Sequence, residues 1–173
     1  MMQKVMLGVM LYGLLCGLCI GVEKASDEQQ IKRMRQYWPI FLAAVESGDC
    51  RKIKQRLAPK VECQLCLDNT EAEANELERF RETNKNWYEL LYAEKQYIPG
   101  DTFCQQDVPL LFSKEMLVLL RNNPTSFNIR DDEGRYEYIV AVTTTLPSLK
   151  FEGGQHMFGF SADLKLISVF TVP

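Results

Sequence analysis

Histidine is almost missing from this sequence: His156 stands alone among 173 residues. That scarcity leaves little material for a closed zinc site, which needs four nitrogen or sulfur ligands. No stretch gathers lysine and arginine into a stripe either. This excludes a nucleic-acid binder, whose affinity rests on neutralising phosphates. A phosphate-cradling glycine loop, a Gly-x-Ser-x-Gly elbow and a His-Glu-x-x-His helix are all absent. Their absence weakens the case for an enzyme without closing it, and no cofactor is implied. There is no internal repeat and no low-complexity stretch. What remains is ordinary for a globular chain, with 46% apolar residues, 25% charged residues and a net charge of −3. The length suits one domain with a real core.

The first 22 residues stand apart. One positive charge lies in Met1 to Lys4, and Val5 to Val22 carries none. Val5 to Leu15 has the length and composition of a signal h-region, and Cys19 and Gly21 place small residues for cleavage after Gly21. Residues 1–21 therefore read as a signal peptide, 22–29 as a short linker and 30–173 as one domain. Two alternatives stay open: a retained anchor, since the run is just long enough to span, or a lipidated Cys16 or Cys19. Contact with a membrane is expected only in those cases. An exported chain, periplasmic or extracellular, is the expectation.

Beyond the signal, four cysteines remain: Cys50, Cys63, Cys66 and Cys104. In an oxidising compartment they read as two disulfides with three connectivities. Cys63 and Cys66 lie in Lys60 to Leu67, which alternates like a strand. Residues three apart on a strand point to opposite faces, so the expectation is that these two are not joined. A zinc or redox reading of the Cys63-Gln64-Leu65-Cys66 spacing lacks a second ligand pair or a βαβ setting.

Ser26 to Gln29 forms a capping box, followed by Ile31, Met34, Trp38, Phe41 and Val45 on one helical face. Pro39 should kink that helix or restart it, and Gly48 should end it. Asp49 caps a short second helix before the cysteine strand. Thr70 to Glu73 opens a long helix with Leu77, Phe80, Trp87 and Leu91 on one face, interrupted by Asn84. Pro99 and Gly100 begin a loop holding Cys104, and Ser113 caps a further helix. From Ser126 the period becomes two. Short strands follow over 126–130, 135–146, 156–161 and 164–172, with a turn at Asp131 to Gly134 and a loop containing Gly153 and Gly154. Helices first and strands after give an α+β fold, with N-terminal helices packed on a curved antiparallel sheet.

This order resembles the nuclear-transport-factor-like (SnoaL-like) cone fold. The resemblance rests on Ala43 to Asp49, where an apolar helix meets a Gly-Asp break, and on the closing pattern of Gly153, Gly154, His156 to Phe160 and Leu164 to Val169. It covers most of residues 30–172, and the stretch from Ala93 to Phe112 departs from it. A cystatin-like sheet wrapped on a helix is similar too. The cone fold implies a cavity on the concave sheet face, in which some members run histidine–aspartate chemistry.

Candidate site residues follow. Tyr136, Tyr138, His156, Phe158 and Phe160 share alternate strand positions and could line an apolar ligand pocket, or simply pack as core. His156 is the natural acid–base group near neutral pH, with Tyr138 or Glu137 assisting, but no carboxylate stands at a recognisable spacing. Asp131, Asp132 and Glu133 lack the remaining ligands of a calcium loop, so no metal is expected. Three functions compete: a non-catalytic exported domain binding a small ligand or partner protein on its concave sheet face, an inhibitor or immunity-type protein, and a cone-fold enzyme using His156. The first is preferred. A homodimer is compatible with each.

Overall fold

The computed structural model describes residues 27–68, 70–132, 135–148 and 153–172. The segment expected to be a signal and the tip of the Asp131–Gly134 turn, with its calcium reading, lie outside the described residues.

Helix α1 (Asp27–Glu46) begins inside the segment expected to be linker, because its amphipathic period already starts there. It buries Met34, Trp38, Phe41, Leu42 and Val45, the stripe that steps of three and four lay on one face. Pro39 neither restarts nor ends it: it sits on the exposed side of one continuous helix, where its ring meets water rather than the core. Gly48, at φ +63°, takes the left-handed turn that ends the helix. Asp49 accepts a hydrogen bond from the Arg51 backbone N–H (3.0 Å) and so caps α2 (Cys50–Lys54).

Strand β1 (Leu57–Cys63) runs into a 3-10 turn (Gln64–Leu67) and a helical excursion made of α3 (Glu71–Thr83) and α4 (Trp87–Leu90), the latter continued by a π turn at Leu91–Lys95. Strand β2 (Tyr97–Pro99) brings the chain back beside β1. The segment expected to be a loop around Cys104 is instead an irregular helical run, from α5 (Gly100–Thr102) through a π turn (Phe103–Asp107) to α6 (Val108–Leu111). Buried Phe103, Cys104 and Val108 repay that ordering. Helix α7 (Lys114–Asn122) follows, capped by Ser113. Strands β3 (Thr125–Asp132), β4 (Arg135–Thr145), β5 (Gly154–Phe160) and β6 (Leu166–Val172) form an antiparallel meander.

The six strands lie in the order β2-β1-β6-β5-β4-β3. The fold is α+β, with helices packed on one face of an open sheet. The sheet is mixed rather than purely antiparallel, because β1 joins β6 in parallel. The core lies between α1 and this sheet. Trp38 meets Phe158 with ring centroids 5.1 Å apart, and Phe41 meets Phe160 edge-on at 5.1 Å. Removing one of these rings by mutation to alanine would cost about 3–5 kcal/mol.

Two disulfides pair the four cysteines, Cys50 with Cys104 and Cys63 with Cys66. The second overturns the expectation that Cys63 and Cys66 are not joined. Strand alternation stops at Cys63, where the 3-10 turn begins. Such a turn has three residues per revolution, so positions three apart eclipse and Cys66 returns to the side of Cys63.

Candidate functional site

The face of β4 and β5 expected to hold a ligand is filled. Phe158 and Phe160 are fully buried against Trp38, Phe41 and Phe112. Tyr138 is buried as well, and its hydroxyl donates to Gln30 Oε1 at 2.8 Å near the start of α1. These three are core residues rather than walls of an open pocket, because the apolar face of α1 occupies the concavity. The side chain of Tyr136 lies outside the described residues.

His156 sits at the open end of the same face, opposite Val142 on β4 and Thr171 on β6. With Thr144, Thr171, Gly153 and Gly154 it lines a depression of about 250 Å³. Gly153 holds φ +98°, and a Cβ there would come within 2.9 Å of the Thr145 carbonyl oxygen, so the rim requires glycine. The imidazole Nδ1 shares a hydrogen bond with Thr144 Oγ1 at 2.8 Å. Burial pushes its pKa below the ordinary histidine value, so the ring is neutral at neutral pH. Tyr138 stands four residues from the position opposite His156, about 13 Å along the strand, and its hydroxyl is already engaged. Glu137 points to the other face of β4 and pairs with Arg130. The structure therefore does not bring together the acid–base set that an enzyme reading would use.

The face of the sheet away from α1 carries Glu137, Ile139 and Ala141 on β4, the last two buried. Glu62 and Ser168 stand side by side there, with Gly159 next in the row. Burial, and then the charge of Glu137, raise the Glu62 pKa above the usual carboxylate value. Ser168 Oγ is buried without a hydrogen-bond partner among the described residues.

The least packed part of the described chain is the arm formed by α3, α4 and the π turn. Neither α3 nor α4 buries a single residue, and at the far end of the arm Leu91 and Gln96 are buried. The arm carries a run of rings: Trp87 meets Tyr88 at 5.6 Å, and Tyr88 meets Tyr92 at 4.7 Å. Tyr88 is 60% exposed and Tyr92 39%. Arg81 lies over the Trp87 ring and Lys95 over Phe80, at 5.2 and 5.1 Å. Tyr97 on β2 adds another exposed ring. Between α3 and the body runs a groove of about 240 Å³, lined by Leu67, Leu77, Phe80 and Ile98 and by the charged Glu73, Glu76, Lys95 and buried Asp107. Cys66 forms part of its wall. Both sulfur-bearing residues of that disulfide are nonetheless buried, which denies a thiol the access that exchange requires.

No family model, curated protein or solved structure matches this chain.

Leu77, Phe80, Trp87 and Leu91 form the stripe expected to face the core, yet only Leu91 is buried. The exposed Tyr88 and Tyr92 escape a periodicity reading because they lie off that stripe. One signal was available: α3 has only alanines, Leu77 and Phe80 as apolar residues in thirteen positions, too few to make a core face. Among the described residues no three metal-ligating side chains cluster together.

Proposed function

We propose that this chain is an exported, non-catalytic domain that binds a partner protein, and that the aromatic arm is the surface that binds. The carrying observation is the exposure of Tyr88, on a helix that buries nothing of its own, and of Tyr92 on the π turn that continues it. Folding α3 and α4 gains little from burial, while Trp and Tyr are the residues that most often anchor interfaces. Export is supported by the apolar N-terminal run and by two disulfides, which persist in oxidising compartments such as the periplasm or the extracellular space. The preferred sheet-face site gives way to the arm because α1 fills that concavity. The helix, the Gly48-Asp49 break, the short helix and the following strand fit the cone fold proposed from the sequence.

The test is site-specific photo-crosslinking in the protein's own compartment. A photoreactive residue at position 92 should capture a discrete partner, and one at exposed position 128 on the sheet face away from α1 should not. Crosslinks at 128 but not at 92 would move the binding surface to the sheet. An inhibitor role is a special case of this reading, distinguished by whether the captured partner loses activity when bound.

A further inference from the structure

We infer that the outer strand β3 pairs with β3 of a second copy, so that the chain forms a closed dimer through one continuous sheet. The contact is separate from the aromatic arm, which lies by the opposite edge, between β1 and β2. An edge strand offers a row of unpaired N–H and C=O groups, and proteins blunt such edges with short strands, prolines, lysines or bulges. The two edges of this sheet differ in that respect. Strand β2 has only the three residues Tyr97–Pro99 and ends in a proline. Strand β3 runs for eight residues without proline or lysine, and it pairs with β4 from Thr125 to Asp132 without a bulge. Its single cation, Arg130, is engaged by Glu137 of the same sheet.

The hydrogen bonds fix which groups of β3 face outward. The Thr143 N–H donates to the Pro124 carbonyl oxygen at 3.0 Å, one step before the Thr125–Val142 pair. Hydrogen-bonded and open pairs alternate along an antiparallel ladder. Ser126, Asn128 and Arg130 therefore bond to β4, while Thr125, Phe127, Ile129 and Asp131 turn their N–H and C=O groups to the free edge. Among the described residues no backbone bond outside the sheet reaches Thr125, Phe127 or Ile129. A second β3 fits this row in one register. With an antiparallel copy related by a two-fold axis at Asn128, Phe127 stands opposite Ile129 of the copy and Thr125 opposite Asp131. Every outward group from Thr125 to Asp131 is then paired, whereas an axis at Phe127 or Ile129 leaves one end of the row unpaired. The same register joins the half-buried Phe127 and Ile129 on the core face. On the other face it sets Arg130 against Ser126, so no like charges are opposed. A strand of unrelated sequence would meet the same backbone without this match of apolar and polar faces. The blunted β2 edge stops further growth, and the pairing closes at two copies.

The test uses the intact exported protein. Sedimentation should show a reversible monomer–dimer equilibrium. Asn128→Lys, at an exposed position on the axis, should weaken the dimer at least about tenfold by setting two ammonium groups face to face. Open antiparallel pairs hold their Cα atoms about 4.5 Å apart, within disulfide reach. Asn128→Cys should therefore give a disulfide-linked dimer on a non-reducing gel. Ser126→Cys, which the register puts about 14 Å along the strands from its own copy, should not. A monomer up to about 100 µM, a dimer indifferent to Asn128→Lys, equal linkage of the two cysteine variants, or assemblies beyond the dimer overturn the inference. So does a dimer lost on Tyr88→Ser, which would place the contact on the arm. In the photo-crosslinking above, position 128 should capture only a second copy, recognised at twice the chain's own mass. A different protein captured there would give the edge another occupant and overturn the pairing, whatever position 92 captures.

Discussion

His156 is the residue on which an enzymatic reading would have to rest, and its surroundings make it a proton acceptor without a partner acid. Its folded pKa is lowered by burial, so between that value and the unfolded value near 6.5 the unfolded chain binds more protons. Stability contributed by the neutral ring is present above about pH 6.5 and is lost as pH falls toward the folded pKa. His156→Gln should flatten that part of a stability–pH curve, measured by denaturant midpoints, while leaving partner capture intact. Loss of capture by a folded His156→Gln protein would return the residue to the functional site. The lone histidine was visible in the sequence. Its bond to Thr144 was not, because it depends on the pairing of β4 with β5 across twelve residues. A second residue-scale expectation concerns Gly159. A Cβ there would sit 2.1 Å from Ser168 Oγ, so Gly159→Ala should destabilise by about 1–3 kcal/mol. Ser168→Ala removes an unpartnered buried hydroxyl and should be near neutral. In that background Gly159→Ala should cost less, a coupling read from the double-mutant cycle. Strict additivity would show that the hydroxyl is not what excludes the side chain.

Elements were legible where their signals are local. Asp49, Thr70 with Glu73, and Ser113 each announce a helix start within four residues, and each makes the expected side-chain hydrogen bond to the backbone. The parallel pairing of β1 with β6 was not legible, because it joins strands a hundred residues apart and leaves no periodic trace. The Cys63–Cys66 bond was missed for a related reason: alternation was extended one turn past the point where the strand ends. The two disulfides should differ in weight. Cys50 and Cys104 are 54 residues apart, and closing that loop restricts the unfolded chain by about 4 kcal/mol, against about 2 for Cys63 and Cys66, three apart. Cys50→Ala with Cys104→Ala should therefore lower the denaturant midpoint more than Cys63→Ala with Cys66→Ala. The reverse order would mean that the short bridge holds the β1 exit and the groove wall by native contacts rather than by chain entropy.

The molecule as a whole divides its stability unevenly, and this connects the fold to the proposed function. Between α1 and the sheet, aromatic rings are fully buried and strands β4, β5 and β6 are paired on both edges. Opening any of their amides requires breaking that core, so their protection against hydrogen exchange should approach the global unfolding free energy. The arm has no such anchor. Helix α3 is held by its capping box and by exposed ion pairs such as Glu76 with Lys95 of the π turn, which are worth about 0.2–1 kcal/mol in water. The amides of Glu71–Thr83 and Trp87–Leu90 should accordingly exchange by local opening, well before those of Val140 or Phe158, and independently of denaturant at low concentration. Binding of a partner should slow exchange in the arm and leave the sheet unchanged, since only the arm gains contacts. Mass-spectrometric hydrogen exchange of the free protein and of the photo-captured complex makes the comparison. Arm protection equal to that of β5 in the free protein would mean that α3 and α4 belong to the cooperative core. The aromatic face would then no longer be a surface left open for a partner.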